Sequence, residues 1–340
     1  MKTVLRAFLV LIVLGLLGAG ATTWWAQRWL GLPLAHLQSA QVFEVPRGAT
    51  LRSVANSLAQ RGVLDRPMVW QLWARATRQA SELKAGEYQL TPGLTPRALL
   101  DLLRSGNVIL HSITFIEGAT VRDVRKLLSS NAAIKPSLVG KTDDELMTAL
   151  GEPGVHPEGQ FFPDTYRFPR GTSDLDILKL AHTRLRSELD AAWKARVPDL
   201  PLGSAYEALI LASIVEKESA LPRERPMIAG VFIERLRRGM RLQTDPTVIY
   251  GMLENYDGNI RRADLLRDTP YNTYTRAGLP PTPIALPSLG SLRAATHPEI
   301  SGALFFVATG EPDGSHYFSK TLSEHEAAVK RYLQKLKQRS

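Results

Sequence analysis

A run without charge, Ala7 to Ala26, follows Lys2 and Arg6 and dictates what the N-terminus can become. As a helix rising 1.5 Å per residue, about 20 residues span ~30 Å, the thickness of a bilayer's hydrocarbon core. Basic residues ahead of the run place Met1 on the cytoplasmic side. Trp24 and Trp25 fall at the far end, where amphipathic rings sit among headgroups. A cleaved signal peptide is the rival reading. Phe8 to Leu17 has the length of its apolar region, and Ala19-Gly20-Ala21 the small residues of a cleavage site. The apolar stretch continues past Ala21 and ends in tryptophans, which favours the uncleaved anchor. Under either reading the bulk of the chain lies outside the cytoplasm.

With 340 residues the chain exceeds one ordinary domain. Apolar residues make up 44% and charged residues 22%, close to the globular average, so a disordered or fibrous chain is excluded. Lys and Arg outnumber Asp and Glu by 42 to 33, a net charge of +9. That surplus favours anionic partners, and a location outside the cytoplasm removes nucleic acid from among them. There is no cysteine, which excludes disulfides, thiolate nucleophiles, Cys-ligated metals and a Cys-linked lipid anchor.

The sequence divides into an anchor with its cytoplasmic tip at 1–27, a linker at 28–40, a small α/β module at 41–107 and a larger α+β domain at 108–340, an α+β protein overall. In the module, Val42 to Val45 alternates as a strand and Thr50 caps a helix whose Leu51, Val54, Ala55 and Leu58 share one face. Pro67 to Ala76 reads as a second helix and Gly86 to Leu90 as a second strand. Thr95 and Pro96 open a third helix that Gly106 ends. In the larger domain, Ile109 to Phe115 alternates as a strand and Thr120 opens a helix through Leu128. A Gly- and Pro-rich loop covers Gly151 to Pro169, and long helices occupy about 174–196 and 204–222. Leu322 to Lys337 reads as a basic amphipathic packing helix. No internal repeat is present.

The chemistry on offer is narrow. The seven histidines show no metal-ligand spacing, and there is no nucleophile elbow, phosphate-binding loop or dinucleotide-binding turn. The expectation is therefore no metal and no cofactor, with carboxylates doing the chemistry. One stands out in "SAYEALILASIVEKESAL", Ser204 to Leu221, which Ser204 caps and Pro222 ends. With Glu216 at 0° on a helical wheel, Glu218 falls at about 200°, among Leu211, Ile214 and Val215. Glu216 lies on the opposite side. Burial penalises the charged form, and a carboxylic acid still protonated near neutral pH is what general-acid catalysis needs. Glu207 shares that side of the wheel, so spacing alone does not single out Glu218, and a core role at the helix end is the rival reading.

Five motifs go further: "ASIVEKESA" at Ala212–Ala220, "MRLQTDPTVIYGM" at Met240–Met252, "YNTY" at Tyr271–Tyr274, "GLPPTPIALPS" at Gly278–Ser288 and "EGQFFPDTY" at Glu158–Tyr166. Together, and in the order they take along the chain, they resemble the endolytic murein transglycosylases of the MltG, or YceG-like, family, over essentially the whole chain. The resemblance implies a single-pass inner-membrane protein with a cytoplasmic N-terminus, a LysM-like module and a periplasmic catalytic domain. It implies a lyase that cuts the β-1,4 bond between N-acetylmuramic acid and N-acetylglucosamine inside peptidoglycan strands. The cut leaves a 1,6-anhydro end and trims or terminates nascent strands. The partners it implies are peptidoglycan strands and the cell membrane, with peptidoglycan synthases as a further expectation.

The family's catalytic glutamate corresponds to Glu218. Gln243, Asp245, Tyr271, Asn272 and Tyr274 are candidates for sugar contact. Asp245 is equally well placed as a helix N-cap ahead of Pro246. The prolines of Gly278–Ser288 suit a rigid groove wall, Phe161 and Phe162 suit the core, and Glu158, Asp164 and Tyr166 fit either role. Two other functions remain open at this level: a two-carboxylate hydrolase using Asp245, and a glycan-binding scaffold without catalysis.

Overall fold

The computed structural model describes residues 2–81 and 83–339, so the expected cytoplasmic placement of Met1 falls outside the described residues. The chain forms two compact units. One holds the chain up to His111 together with Phe168–Gly171, and the other holds Ser112–Arg167 and everything from Thr172 on.

The first unit begins with α1 (Lys2–Leu30), a single helix of 29 residues. Its stretch Phe8–Leu30 is long and apolar enough to cross a membrane, and residues 8–25 of it are exposed. Then follow β1 (Gln41–Val45), α2 (Leu51–Gln60), α3 (Pro67–Ala76), β2 (Gly86–Leu90) and α4 (Pro96–Ser105). β1 and β2 pair antiparallel with Phe43 opposite Tyr88. The strands bury Phe43, Val45, Tyr88 and Leu90, and α2 adds Leu51, Val54, Ala55 and Leu58. Thr50 and Thr95 each accept a hydrogen bond from the amide three residues on, so both caps form where the spacing expects them. Residues 28–40, expected as a linker, contribute to this core: α1 continues to Leu30, and Leu30, Leu34 and Leu37 are buried with Trp70 and Phe43.

The second unit carries more elements than the sequence suggests. After β3 (Leu110–Thr114) come α5 (Val121–Ser129), α6 (Asp143–Ala149), β4 (Thr165–Pro169) and α7 (Asp174–Lys194). Next are α8 (Ala205–Glu218), α9 (Arg225–Arg237), α10 (Asp245–Met252), α11 (Arg262–Leu266) and α12 (Leu289–Thr296), then β5 (Phe305–Ala308), β6 (His316–Ser319) and α13 (Leu322–Arg339). The expected loop at Gly151 to Pro169 therefore ends in a strand, β4, which pairs with β3. β5 and β6 pair antiparallel with Phe306 opposite Phe318.

α8 is the centre of this unit. Every residue from Ala208 to Val215 is buried, among side chains of α7, α9, α12 and Ile284. A helix enclosed on all faces shows no apolar stripe, so a wheel cannot tell one of its faces from another.

Candidate active site

Glu218 is the last residue of α8. The helix ends there, short of the expected Pro222, because Ser219 turns to extended backbone at φ −138° and ψ 129°. Ser219 is buried and its hydroxyl accepts from the Leu221 amide. The break frees the Glu218 side chain to face a cleft of about 370 Å³. The cleft is lined by Glu218, Arg235, Leu242, Gln243, Asp245 and Tyr274, and by Phe305, Phe306, Leu322 and His325. That volume lies within the range of small-ligand sites.

The two glutamates of the E-K-E tripeptide have opposite environments. Glu216, expected on the less crowded side, is in fact enclosed, with 4% of its side chain exposed. Arg225 donates to its Oε1 at 2.9 Å, while the Ser288 amide and hydroxyl donate to Oε2 at 2.8 and 2.5 Å. A carboxylate holding a buried cation and two further donors has a structural task. Glu218 has no such cation: among the described residues none forms an ion pair with it. The Thr244 hydroxyl is hydrogen-bonded to its Oε1. Burial pushes the Glu218 carboxyl up to about 7, against the opposing effect of the Thr244 bond, with Asp245 pushing it further up. It is therefore an acid and a base of nearly matched strength at neutral pH.

Thr244 accounts for another difference. It is Thr244, not Asp245, that occupies the N-cap position of α10, yet its hydroxyl makes no cap bond and donates to Glu218. Its backbone is fixed by a 3.1 Å bond from the Thr244 amide to the Thr273 hydroxyl, which in turn lies 2.9 Å from the Thr247 hydroxyl. Asp245 sits inside the first turn and accepts from the Tyr274 hydroxyl at 2.6 Å. Gln243, at the cleft, has φ +50°, a left-handed conformation that costs a non-glycine residue of the order of 1 kcal/mol. Its amide is tied to the Thr273 carbonyl at 3.1 Å.

The structure thus gathers Glu218, Gln243, Asp245 and Tyr274 around one cleft and leaves Tyr271 and Asn272 outside it. Asn272 is 1% exposed. Its amide donates to the carbonyls of Asp264, Leu265 and Arg267, and its own carbonyl accepts from the Tyr274 amide. It is a staple for the loop that presents Tyr274, with no polar atom left for a sugar. Tyr271 packs edge-on against Tyr250, and its hydroxyl lies 2.9 Å from that of Thr282. The Gly278–Ser288 segment also lies elsewhere: Ile284, Ala285 and Leu286 are buried, and the Ile284 amide is bonded to Ser213 on α8. Gly159 must stay a glycine beside it, since φ is +74° and a Cβ would stand 2.4 Å from that of Pro283.

Sequence reasoning missed Thr244, Arg235, Phe305, Phe306 and His325. Arg235 is held by the carbonyls of Leu304 and Leu242 at 2.7 and 2.6 Å and lies over the Phe305 ring. α13, expected as a packing helix, also supplies Leu322 and His325 to the cleft. Thr244 gives a prediction of its own. Its hydrogen bond favours the ionised carboxylate, so Thr244→Val raises the Glu218 pKa above about 7. The alkaline limb of any pH–rate profile that this carboxyl governs as an acid then moves to higher pH. An unmoved limb would separate Thr244 from the titrating group.

Glu158 is a second carboxyl pushed up to about 7, by burial. It stands in a different cavity, where Oε1 accepts from the Val121 amide and Oε2 from the Tyr250 hydroxyl. Its raised pKa carries a stability sign. The folded state holds the proton more tightly than the unfolded chain, so this contribution is complete below pH ~4.5 and lost as pH rises to about 7. A shift of that size corresponds to about 3 kcal/mol. Urea unfolding at pH 5 and pH 8 should show the loss, and Glu158→Gln should reduce the difference; an unchanged difference contradicts the assignment. Phe161 and Phe162 are core residues, and Tyr166 donates to the Phe162 carbonyl at 2.6 Å.

A model of the YceG-like family matches residues 43–331. The chain is 31% identical over 307 residues to an endolytic murein transglycosylase of Bacillus subtilis (strain 168), covering 85% of this chain and 84% of that one. It is 26% identical over 322 residues to a protein of the same name from Streptococcus pneumoniae serotype 2, covering 85% of this chain but 58% of that longer relative. Among solved structures, a YceG-like protein from Listeria monocytogenes matches with a TM-score of 0.54 at 30% identity, over 85% of this chain and 99% of that chain.

Proposed function

The chain belongs to the YceG-like family, and on that premise we propose that it is a membrane-anchored endolytic murein transglycosylase whose single acid–base group is Glu218. It is a lyase acting on peptidoglycan, as its named relatives are. The observation that carries the assignment is a carboxyl facing a sugar-sized cleft, raised to about 7 by burial and paired with no cation among the described residues. A group poised at neutral pH can give a proton and take one back within a single turnover.

The reaction then runs as follows. Protonated Glu218 donates to the oxygen linking N-acetylmuramic acid to N-acetylglucosamine, the C1–O bond breaks, and positive charge develops at C1. Glu218, now a carboxylate, removes the proton from the C6 hydroxyl of the same muramic acid, whose oxygen bonds to C1. The products are a 1,6-anhydro end and a free N-acetylglucosamine end, and Glu218 is again protonated. Tethering the nucleophile supplies what a second protein carboxylate gives in ordinary glycosidases; well-oriented intramolecular attack contributes roughly 7–11 kcal/mol. Asp245, engaged by Tyr274, acts electrostatically by keeping Glu218 protonated. Gln243 and Tyr274 position the sugar, and Phe305 and Phe306 provide apolar surface for ring faces.

α1 supports the anchor: its apolar stretch has spanning length, and residues 8–25 are exposed, with only its end packed in the core. In this reading it crosses the inner membrane once, from a cytoplasmic N-terminus to a periplasmic catalytic unit, and the β1–β2 module is a LysM-like glycan-binding element. The enzyme cuts inside nascent strands and so limits their length. The test is digestion of purified sacculi. The parent should release internal fragments, whereas a glycan-binding scaffold would bind and release none.

A further inference from the structure

Resting on the reading of α1 as a membrane anchor, we propose that the outward face of α3 lies in the headgroup layer of the same bilayer, so that the first unit rests on the membrane surface. Met68 and Leu72 are 73% and 59% exposed. Spaced four apart, they share a face of α3 with exposed Arg75, while Trp70 and Ala74 on the other side are buried. Single exposed apolar residues are ordinary on any protein surface. What distinguishes these is their level. Arg66, the residue that precedes α3, has its guanidinium 4.4 Å from the centre of the Trp25 ring. Trp24 and Trp25 mark where α1 leaves the hydrocarbon, and Arg28 lies over Trp24. α3 therefore starts at interface height.

That height is held by packing. Leu30, at the end of α1, is fully buried in the core that contains Trp70 of α3. Gln27 on α1 accepts from Arg97 on α4 at 2.6 Å, and Trp70 donates to the Pro96 carbonyl at 2.8 Å. Helix and module are one body, so the bilayer that takes α1 meets α3 in a fixed orientation. Apolar Met68 and Leu72 flanked by Arg28, Arg66 and Arg75 match an anionic phospholipid interface, with side-chain tips in the acyl boundary and guanidinium groups among phosphates.

The absence of native cysteine permits a direct test. Single variants Met68→Cys, Leu72→Cys, Val139→Cys and Leu14→Cys of the full chain are labelled with an environment-sensitive fluorophore and reconstituted into phosphatidylethanolamine–phosphatidylglycerol vesicles. Val139, 80% exposed in the second unit, serves as the water reference. Labels at positions 68 and 72 should emit to the blue of that at 139, be quenched several-fold more by a shallow nitroxide lipid, and resist aqueous iodide. The label at 14 should respond to a deep nitroxide. Equal iodide access at 68, 72 and 139, with the label at 14 quenched, overturns the proposal while leaving the anchor intact. A label at 14 that no nitroxide lipid reaches overturns the anchor and the proposal with it.

Discussion

Replacing Glu218 with Gln should lower strand cleavage by about 10³-fold or more, since loss of a positioned general acid alone costs 10²–10⁴ and the same group is needed again as base. The substitution is close to isosteric, and the amide can still accept the Thr244 bond. It also removes a group that must ionise in an enclosed place above pH ~7. The variant should therefore fold, and its stability at pH 8 should equal or exceed that of the parent. Activity on purified peptidoglycan and thermal unfolding, measured on one preparation, read both effects. Normal cutting by the variant would refute the assignment and turn attention to Asp245.

A large loss of stability, without a direct chemical role, is expected at Arg225. Its guanidinium is 10% exposed and ties together Glu216 at the end of α8 and Ser288 at the start of α12. Arg225→Ala strands the Glu216 carboxylate in the interior, and breaking a buried pair from one side costs about 3–5 kcal/mol. For a unit of this size that corresponds to a fall in Tm of roughly 10 °C. The double variant Arg225→Met with Glu216→Leu removes both charges and should recover most of the loss, because well-packed apolar residues often replace a buried pair without penalty. A single variant within 1 kcal/mol of the parent, by urea unfolding, would show that the pair does not fasten α8 to α12.

Local signals were the legible part of the sequence. Thr50, Thr95, Thr120 and Ser204 each cap the helix their spacing indicates, because a cap is decided within four residues. α9 gave no such signal. Ile228 to Ile233 is buried on all sides of α9, so no period betrays it. The wheel's expectation that burial keeps Glu218 protonated holds, but its contrast with Glu216 does not, since α8 has no open face and both carboxyls are enclosed. What separates Glu218 from Glu216 is a distant cation, Arg225, on another helix. Thr244 was hidden because its hydroxyl makes a tertiary bond and no local cap bond. Arg235, Phe305 and His325 reach the cleft from elements remote in sequence, and only folding brings them together. Asn272 and Tyr271, attractive by residue type, are consumed by loop and core contacts.

The central claim is that one carboxyl closes the reaction with the sugar's own hydroxyl, so that water is never a reactant. Digestion of purified glycan strands in water enriched in oxygen-18, followed by mass spectrometry of the new muramic acid ends, addresses this directly. The account predicts ends lighter by one water than a reducing sugar and free of the heavy isotope. Reducing ends carrying oxygen-18 at C1 would contradict it and make the protein a hydrolase.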